Sequence, residues 1–121
     1  MRYPHKDVNV LEGLLKKNSH YKNKLIVSDS VFSMDGDIAP VPELVDLDER
    51  YDCLLMLDEA HATVVLGKNG RGALEHFGLD ADGRIILMGT LSKAIGGLGG
   101  FVCGKKDLIE YLVNRSRSFI F

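Results

Sequence analysis

The stretch Ile85-Ile86-Leu87-Met88-Gly89-Thr90-Leu91-Ser92-Lys93-Ala94-Ile95-Gly96-Gly97 decides how this chain folds. Its first four residues are an uninterrupted apolar run, the pattern of a strand buried in a sheet. The run gives way at once to hydroxyls, a lysine and glycines. A cationic amine therefore leaves the end of a core strand on a loop whose backbone can approach a ligand closely.

Working upstream, Leu54-Leu55-Met56-Leu57 is a second such run, and it ends in Asp58-Glu59-Ala60-His61. The continuous run predicts a strand covered on both faces. A carboxylate here and an amine there each leave a strand end. That pairing suits pyridoxal phosphate, whose aldehyde a lysine holds as a Schiff base and whose pyridinium nitrogen an acid pairs with.

Between and around these runs the chain alternates strand, loop and helix. Val8, Leu11, Leu14 and Leu15 have helical spacing within residues 7–17, with Asp7 placed to cap the start. Leu25-Ile26-Val27, within 24–28, reads as a strand, and residues 28–42, rich in Ser, Asp, Gly and Pro, read as a loop. Residues 42–49 suit a helix with Pro42 in its first turn. Strands follow at 53–57, 84–88 and 100–103, a short helix at 73–77, and a helix at 106–115 with Leu108, Ile109, Leu112 and Val113 on one face. The expected class is α/β with a mainly parallel sheet and helices on both faces. Too few residues separate the last two strands for a parallel crossover, so the fourth strand is expected to run antiparallel.

Composition narrows the rest. The 121 residues suffice for one modest domain, and the 45% hydrophobic and 26% charged content is that of an ordinary globular chain. A formal net charge of -2 gives no electrostatic reason for a nucleic acid or anionic membrane partner. No apolar run approaches the roughly 18 residues of a membrane span, and the N-terminus lacks a signal-peptide core, so the cytoplasm is the expected compartment. Cys53 and Cys103 lie in apolar runs and read as core thiols; no Cys/His spacing marks a metal site.

Ser33, Asp58, His61, Thr90 and Lys93 all fall at or after strand carboxyl ends, where ligands collect in open α/β sheets. Each has a plainer reading on its own. Lys93 could be a surface lysine, Asp58 a helix cap, His61 a structural imidazole and Ser33 a turn residue. Together they suit one site. Asp58-Glu59-Ala60-His61 also spells the hydrolysis box of DEAH helicases, but no GxxxxGK[ST] phosphate loop accompanies it. A metal site from Asp58, Glu59 and His61 lacks a further ligand at a recognised spacing.

At these residues the chain resembles the α-oxoamine synthases, a branch of the fold-type I pyridoxal phosphate enzymes. Ser30-Val31-Phe32-Ser33-Met34-Asp35-Gly36-Asp37-Ile38-Ala39-Pro40 is similar to the family's serine loop, Asp58-Glu59-Ala60-His61 to its cofactor motif, and Asn69-Gly70-Arg71-Gly72 follows in order. Gly89-Thr90-Leu91-Ser92-Lys93 resembles its lysine loop, and Gly99-Gly100-Phe101 its return strand. The resemblance implies part of the large domain of a fold-type I transferase. It implies Lys93 as the covalent anchor and proton carrier, Asp58 on the pyridinium nitrogen, His61 and Ser33 on the phenolic-oxygen side, and Thr90 on the phosphate. One departure is Val64, where the family usually has glycine; a Cβ there could crowd the loop beside His61.

The implied reaction is decarboxylative condensation of an amino acid with an acyl-CoA, by a homodimer. Ala62-Thr63, residues 73–78 and residues 114–121 most resemble the branch that joins L-alanine to a pimeloyl thioester; a sister branch uses glycine. A remnant that keeps the fold without the chemistry is the alternative of another class. By the same resemblance the N-terminal part of the large domain and the small C-terminal domain lie outside these residues. The 121 residues alone are therefore expected to bind the cofactor weakly and not to turn over.

Overall fold

A computed structural model describes residues 1–120, and the last residue of the motif at 114–121 lies outside them. Four strands form one sheet in the order β1-β2-β3-β4: β1 (Leu25–Asp29), β2 (Leu54–Asp58), β3 (Ile85–Thr90) and β4 (Gly100–Cys103). β1, β2 and β3 run parallel, with Asp29 opposite Asp58 and Asp58 opposite Met88. β4 returns antiparallel to β3 and sets Gly89 against Phe101 and Thr90 against Gly100. The short connection between these strands leaves no room for a crossover, which is why the reversal was legible in sequence.

Three helices cover one face. α1 (Val8–Lys17) is capped by Asp7, whose carboxylate accepts the Val10 amide at 2.9 Å. α2 (Val41–Arg50) opens with a proline in its first turn. α3 (Ala73–Phe77) is a short helix that ends on Gly78 in the left-handed conformation. Leu11 and Leu15 of α1, Val41, Leu44 and Leu47 of α2, and Ala73 and Leu74 of α3 pack on Ile26, Leu55, Leu57 and Ile85 of the sheet.

α4 (Lys106–Arg115) lies by the other face, where Ile109 and Leu112 approach Met88 and Val102; α5 (Arg117–Ile120) follows directly and was not expected from sequence. Helices thus flank both faces, but unequally. α4 buries no residue, and alternate positions of β1 and β2 stay open: Leu25, Val27 and Leu54 are 43–53% exposed. The expectation that β2 is covered on both faces is therefore corrected. Leu55 and Leu57 are buried while Leu54 is exposed, because α1 to α3 all pack on one side. Cys103 is likewise exposed rather than core; only Cys53 is buried. β4 is an edge strand among the described residues.

At the amino ends of the strands, Arg84 ties the sheet to α2. Its guanidinium meets Asp48 at 3.0 Å, Glu49 at 3.1 Å and Asp82 at 2.6 Å. Asp48 is fully buried, and its second oxygen has no partner. Burial raises the Asp48 carboxyl above the usual carboxylate range despite the neighbouring Arg84.

Candidate active site

The carboxyl ends of β2 and β3 open onto a groove of about 730 Å³. Its polar lining includes Asp58, Thr90, Ser92 and Lys93, and its apolar lining includes Met88, Phe101 and Val102. Asp58 is the last residue of β2 and sits beside Met88 in register, so strand alternation turns its carboxylate to the groove face. One carboxylate oxygen accepts the Ala60 amide at 2.9 Å, which fixes the turn that follows.

That turn carries His61 to Lys93. The Lys93 Nζ lies 2.7 Å from His61 Nε2. An ammonium can only donate, so in this contact His61 accepts through Nε2 and keeps its own proton on Nδ1. Thirty-two positions apart in sequence, the two side chains meet because β2 and β3 are adjacent parallel strands whose ends fall side by side. Lys93 is exposed. Its loop is tied at the base, where the Leu91 and Gly97 amides close on Gly99 and Leu91 carbonyls at 2.9 and 2.7 Å.

Thr90 and Ser92 form a pair of hydroxyls 2.7 Å apart. The Thr90 hydroxyl donates to the Gly99 carbonyl at 3.1 Å, so the Ser92 hydroxyl is the donor between the two. Gly89, one residue earlier, is closed to side chains: a Cβ there would stand 2.5 Å from Cζ of Phe101 on β4. Ser33 stands apart from this group. It is exposed in a turn closed by the Gly36 amide on the Phe32 carbonyl at 2.8 Å, and it does not line the groove. Asp58, His61, Thr90 and Lys93 are thus brought together, and Ser33 is left on the neighbouring loop.

Three features went unread in the sequence. Glu59 was weighed only as a metal ligand, yet it is a buried structural acid, 2% exposed. Val64 sits at φ 68°, a left-handed conformation that β-branched residues rarely adopt; the sequence signalled only a crowded loop. His5 and Lys6 reach the serine loop, with contacts to Asp37 at 3.1 and 2.9 Å.

An amine, a carboxylate and two hydroxyls around one groove suit a ligand with an electrophilic carbon, a basic ring nitrogen and an anionic group. Comparison with known proteins identifies the family. The aminotransferase class I and II family matches residues 1–121 in full. The chain belongs to that family. Over 120 residues it is 57% identical to 8-amino-7-oxononanoate synthase 1 of Bacillus velezensis and 55% identical to its counterpart in Bacillus subtilis. Each match covers 98% of this chain and 30% of the relative, so the chain spans under a third of the length of these curated relatives.

Among solved structures, serine palmitoyltransferase from S. paucimobilis with a bound pyridoxal phosphate–myriocin aldimine overlays with a TM-score of 0.90 at 36% identity. That overlay covers 100% of this chain and 30% of the other. 8-Amino-7-oxononanoate synthase from Francisella tularensis overlays at 0.81 with 32% identity, covering 100% of this chain and 34% of that one. The four-stranded mixed sheet with its helices is therefore part of the fold-type I transferase domain expected from sequence. No helix among the described residues is long and apolar enough to cross a membrane.

Proposed function

We propose that this chain corresponds to the central part of the cofactor-binding domain of a pyridoxal phosphate-dependent acyltransferase. Its reaction is the decarboxylative condensation of L-alanine with a pimeloyl thioester to 8-amino-7-oxononanoate. The observation that carries the reading is the Lys93–His61 contact at 2.7 Å beside a groove that Asp58 lines. The 57% identity to 8-amino-7-oxononanoate synthase 1 supports this member of the family over others.

The residues fit the cofactor by their chemistry. Lys93 supplies the amine that the aldehyde needs, and Asp58 the carboxylate that a protonated ring nitrogen needs. Thr90 and Ser92 offer hydroxyls to the phosphate. When bound, pyridoxal phosphate supplies an electron sink for the bond broken at the amino acid's α-carbon.

The chain's own groups do the rest. Asp58 holds a negative charge in a partly buried place, where a neighbouring cation is favoured. Lys93 would hold the cofactor through its amine, and the same amine would take and return the α-proton. His61 accepts from Lys93 through Nε2 and so orients that amine; with Ser33 on the adjacent loop it is assigned to the phenolic-oxygen side. Gly89 leaves room for the Phe101 ring, which packs over the β3 end beside the groove. We place the whole protein in the cytoplasm as a homodimer that takes an amino acid and an acyl-CoA.

The test is product formation by the full-length protein. L-alanine with pimeloyl-CoA should give 8-amino-7-oxononanoate and free CoA, and Lys93→Ala should abolish it. Preferred use of glycine with acetyl-CoA would move the assignment to another member of the family. Absence of turnover with any amino acid and acyl-CoA would leave a cofactor-binding fold without the reaction.

A further inference from the structure

The residue that faces away from the groove, Glu59, carries an inference that rests on the functional reading above. We infer that Glu59 is the positioning residue for Asp58 and His61, anchoring the turn between them to the core on the far side of the sheet. It follows Asp58 directly, and alternation along the chain sends the two carboxylates to opposite faces. Asp58 takes the groove; Glu59 goes into the core, 2% exposed, with no cation paired to it among the described residues.

Every polar group of Glu59 is engaged at the turn. Both side-chain oxygens accept the Ala73 amide at the start of α3, at 3.2 and 3.1 Å. Its amide donates to the Met88 carbonyl of β3 at 2.6 Å. Its carbonyl accepts the amides of Ala62 and Thr63 at 3.0 and 2.9 Å, and these two residues bracket the turn on the far side of His61. Gly72 leaves the carboxylate its room, since a Cβ there would overlap Oε2.

A second buried group completes the anchor. Ser30, fully buried, donates both its amide and its hydroxyl to the Asp58 carbonyl at 2.9 and 2.8 Å. Burial raises the Glu59 carboxyl above its ordinary range, opposed by the bond from the Ala73 amide. A buried acid without a cation is costly to keep. Here it satisfies a buried amide and fixes the peptide between the acid and the imidazole of the site. Glu59 does not itself line the groove, and its carboxylate bonds only the Ala73 amide on the far side, so it acts through its neighbours.

The experiment compares Glu59→Asp, Glu59→Gln and Ser30→Ala in the full-length protein. Three readouts are taken: the His61 ring resonances without cofactor, the pyridoxal phosphate dissociation constant, and the pH midpoint of the cofactor's visible band. Glutamine keeps an acceptor oxygen at the right reach and should stay within twofold of wild type with His61 unmoved. Aspartate is one methylene short of Ala73. It should shift the His61 resonances, weaken cofactor binding at least fivefold and move the midpoint by half a pH unit or more. Should Glu59→Asp not fold, Ser30→Ala decides in the same way, with a two- to threefold loss. Unmoved His61 resonances and unchanged affinity in Glu59→Asp, or in Ser30→Ala where it stands in, overturn the inference. If wild type itself takes up no cofactor, the functional reading fails, while the His61 resonances still judge the anchor.

Discussion

Replacing Val64 by glycine should make the protein more stable, although it deletes a side chain. Val64 holds φ 68°, and its amide donates to the Gly70 carbonyl at 2.9 Å, so the turn cannot relax without losing that bond. A β-branched residue held there stores about 2 kcal/mol of strain. Against the release stands the added backbone freedom of glycine in the unfolded chain, about 0.5–1 kcal/mol. The residue is 57% exposed, so losing its methyl groups costs only about 0.7 kcal/mol. The balance is a gain of about 0.5 kcal/mol, or roughly 2 °C in Tm for a chain of this size. The assay is paired denaturant and thermal unfolding of Val64→Gly and Val64→Ala. Alanine keeps the Cβ that strains the turn and loses the methyl groups, so it should be no more stable than wild type. Asparagine, which tolerates this conformation, should fall between glycine and alanine. A Val64→Gly variant less stable than Val64→Ala would refute the strain argument.

Other outcomes follow from the packing. Gly89→Ala drives a Cβ to 2.5 Å from Phe101 and should cost about 1–3 kcal/mol, with most of it recovered by adding Phe101→Leu; unfolding of the single and double variants checks it. Arg84→Met leaves the fully buried Asp48 without its cation and should cost about 3 kcal/mol at pH 7, less at pH 4 where Asp48 can protonate. Glu12 accepts from Tyr51 at 2.7 Å and pairs with Lys16 and Arg50, and these partners lower its carboxyl from 4.5 to about 2. A depressed carboxyl stabilises the fold above its unfolded value and loses that contribution as pH falls. Urea midpoints should therefore drop between pH 4.5 and 2, and Glu12→Gln should flatten that drop.

Much of this architecture was legible because it follows local rules. The apolar runs at 54–57 and 85–88 became adjacent parallel strands, and the short link to 100–103 forced the reversal. Asp7 and Pro42 marked the starts of α1 and α2 through capping and fixed φ. Asp58, Thr90 and Lys93 converged because strand ends in register must do so. The unread parts depend on pairs that no local pattern announces. Glu59 offered only the reading of a metal ligand until α3 came to rest on it, and Asp48 gave no sign of its burial under Arg84. The uneven covering of β2 was hidden because a run of four apolar residues looks the same whether one face or both are packed. Cys103 misled for the same reason, as an apolar neighbourhood in sequence does not bury an edge strand.

The central claim is that Lys93, set against His61 above Asp58, is the amine that takes pyridoxal phosphate. Borohydride trapping of the protein with the cofactor, followed by peptide mapping, tests it most directly. A single phosphopyridoxyl group on Lys93, lost in Lys93→Ala and weakened in Asp58→Asn, is the predicted result. Labelling spread over Lys68, Lys105 and Lys106, or a map in which Lys93 stays unmodified, would contradict it.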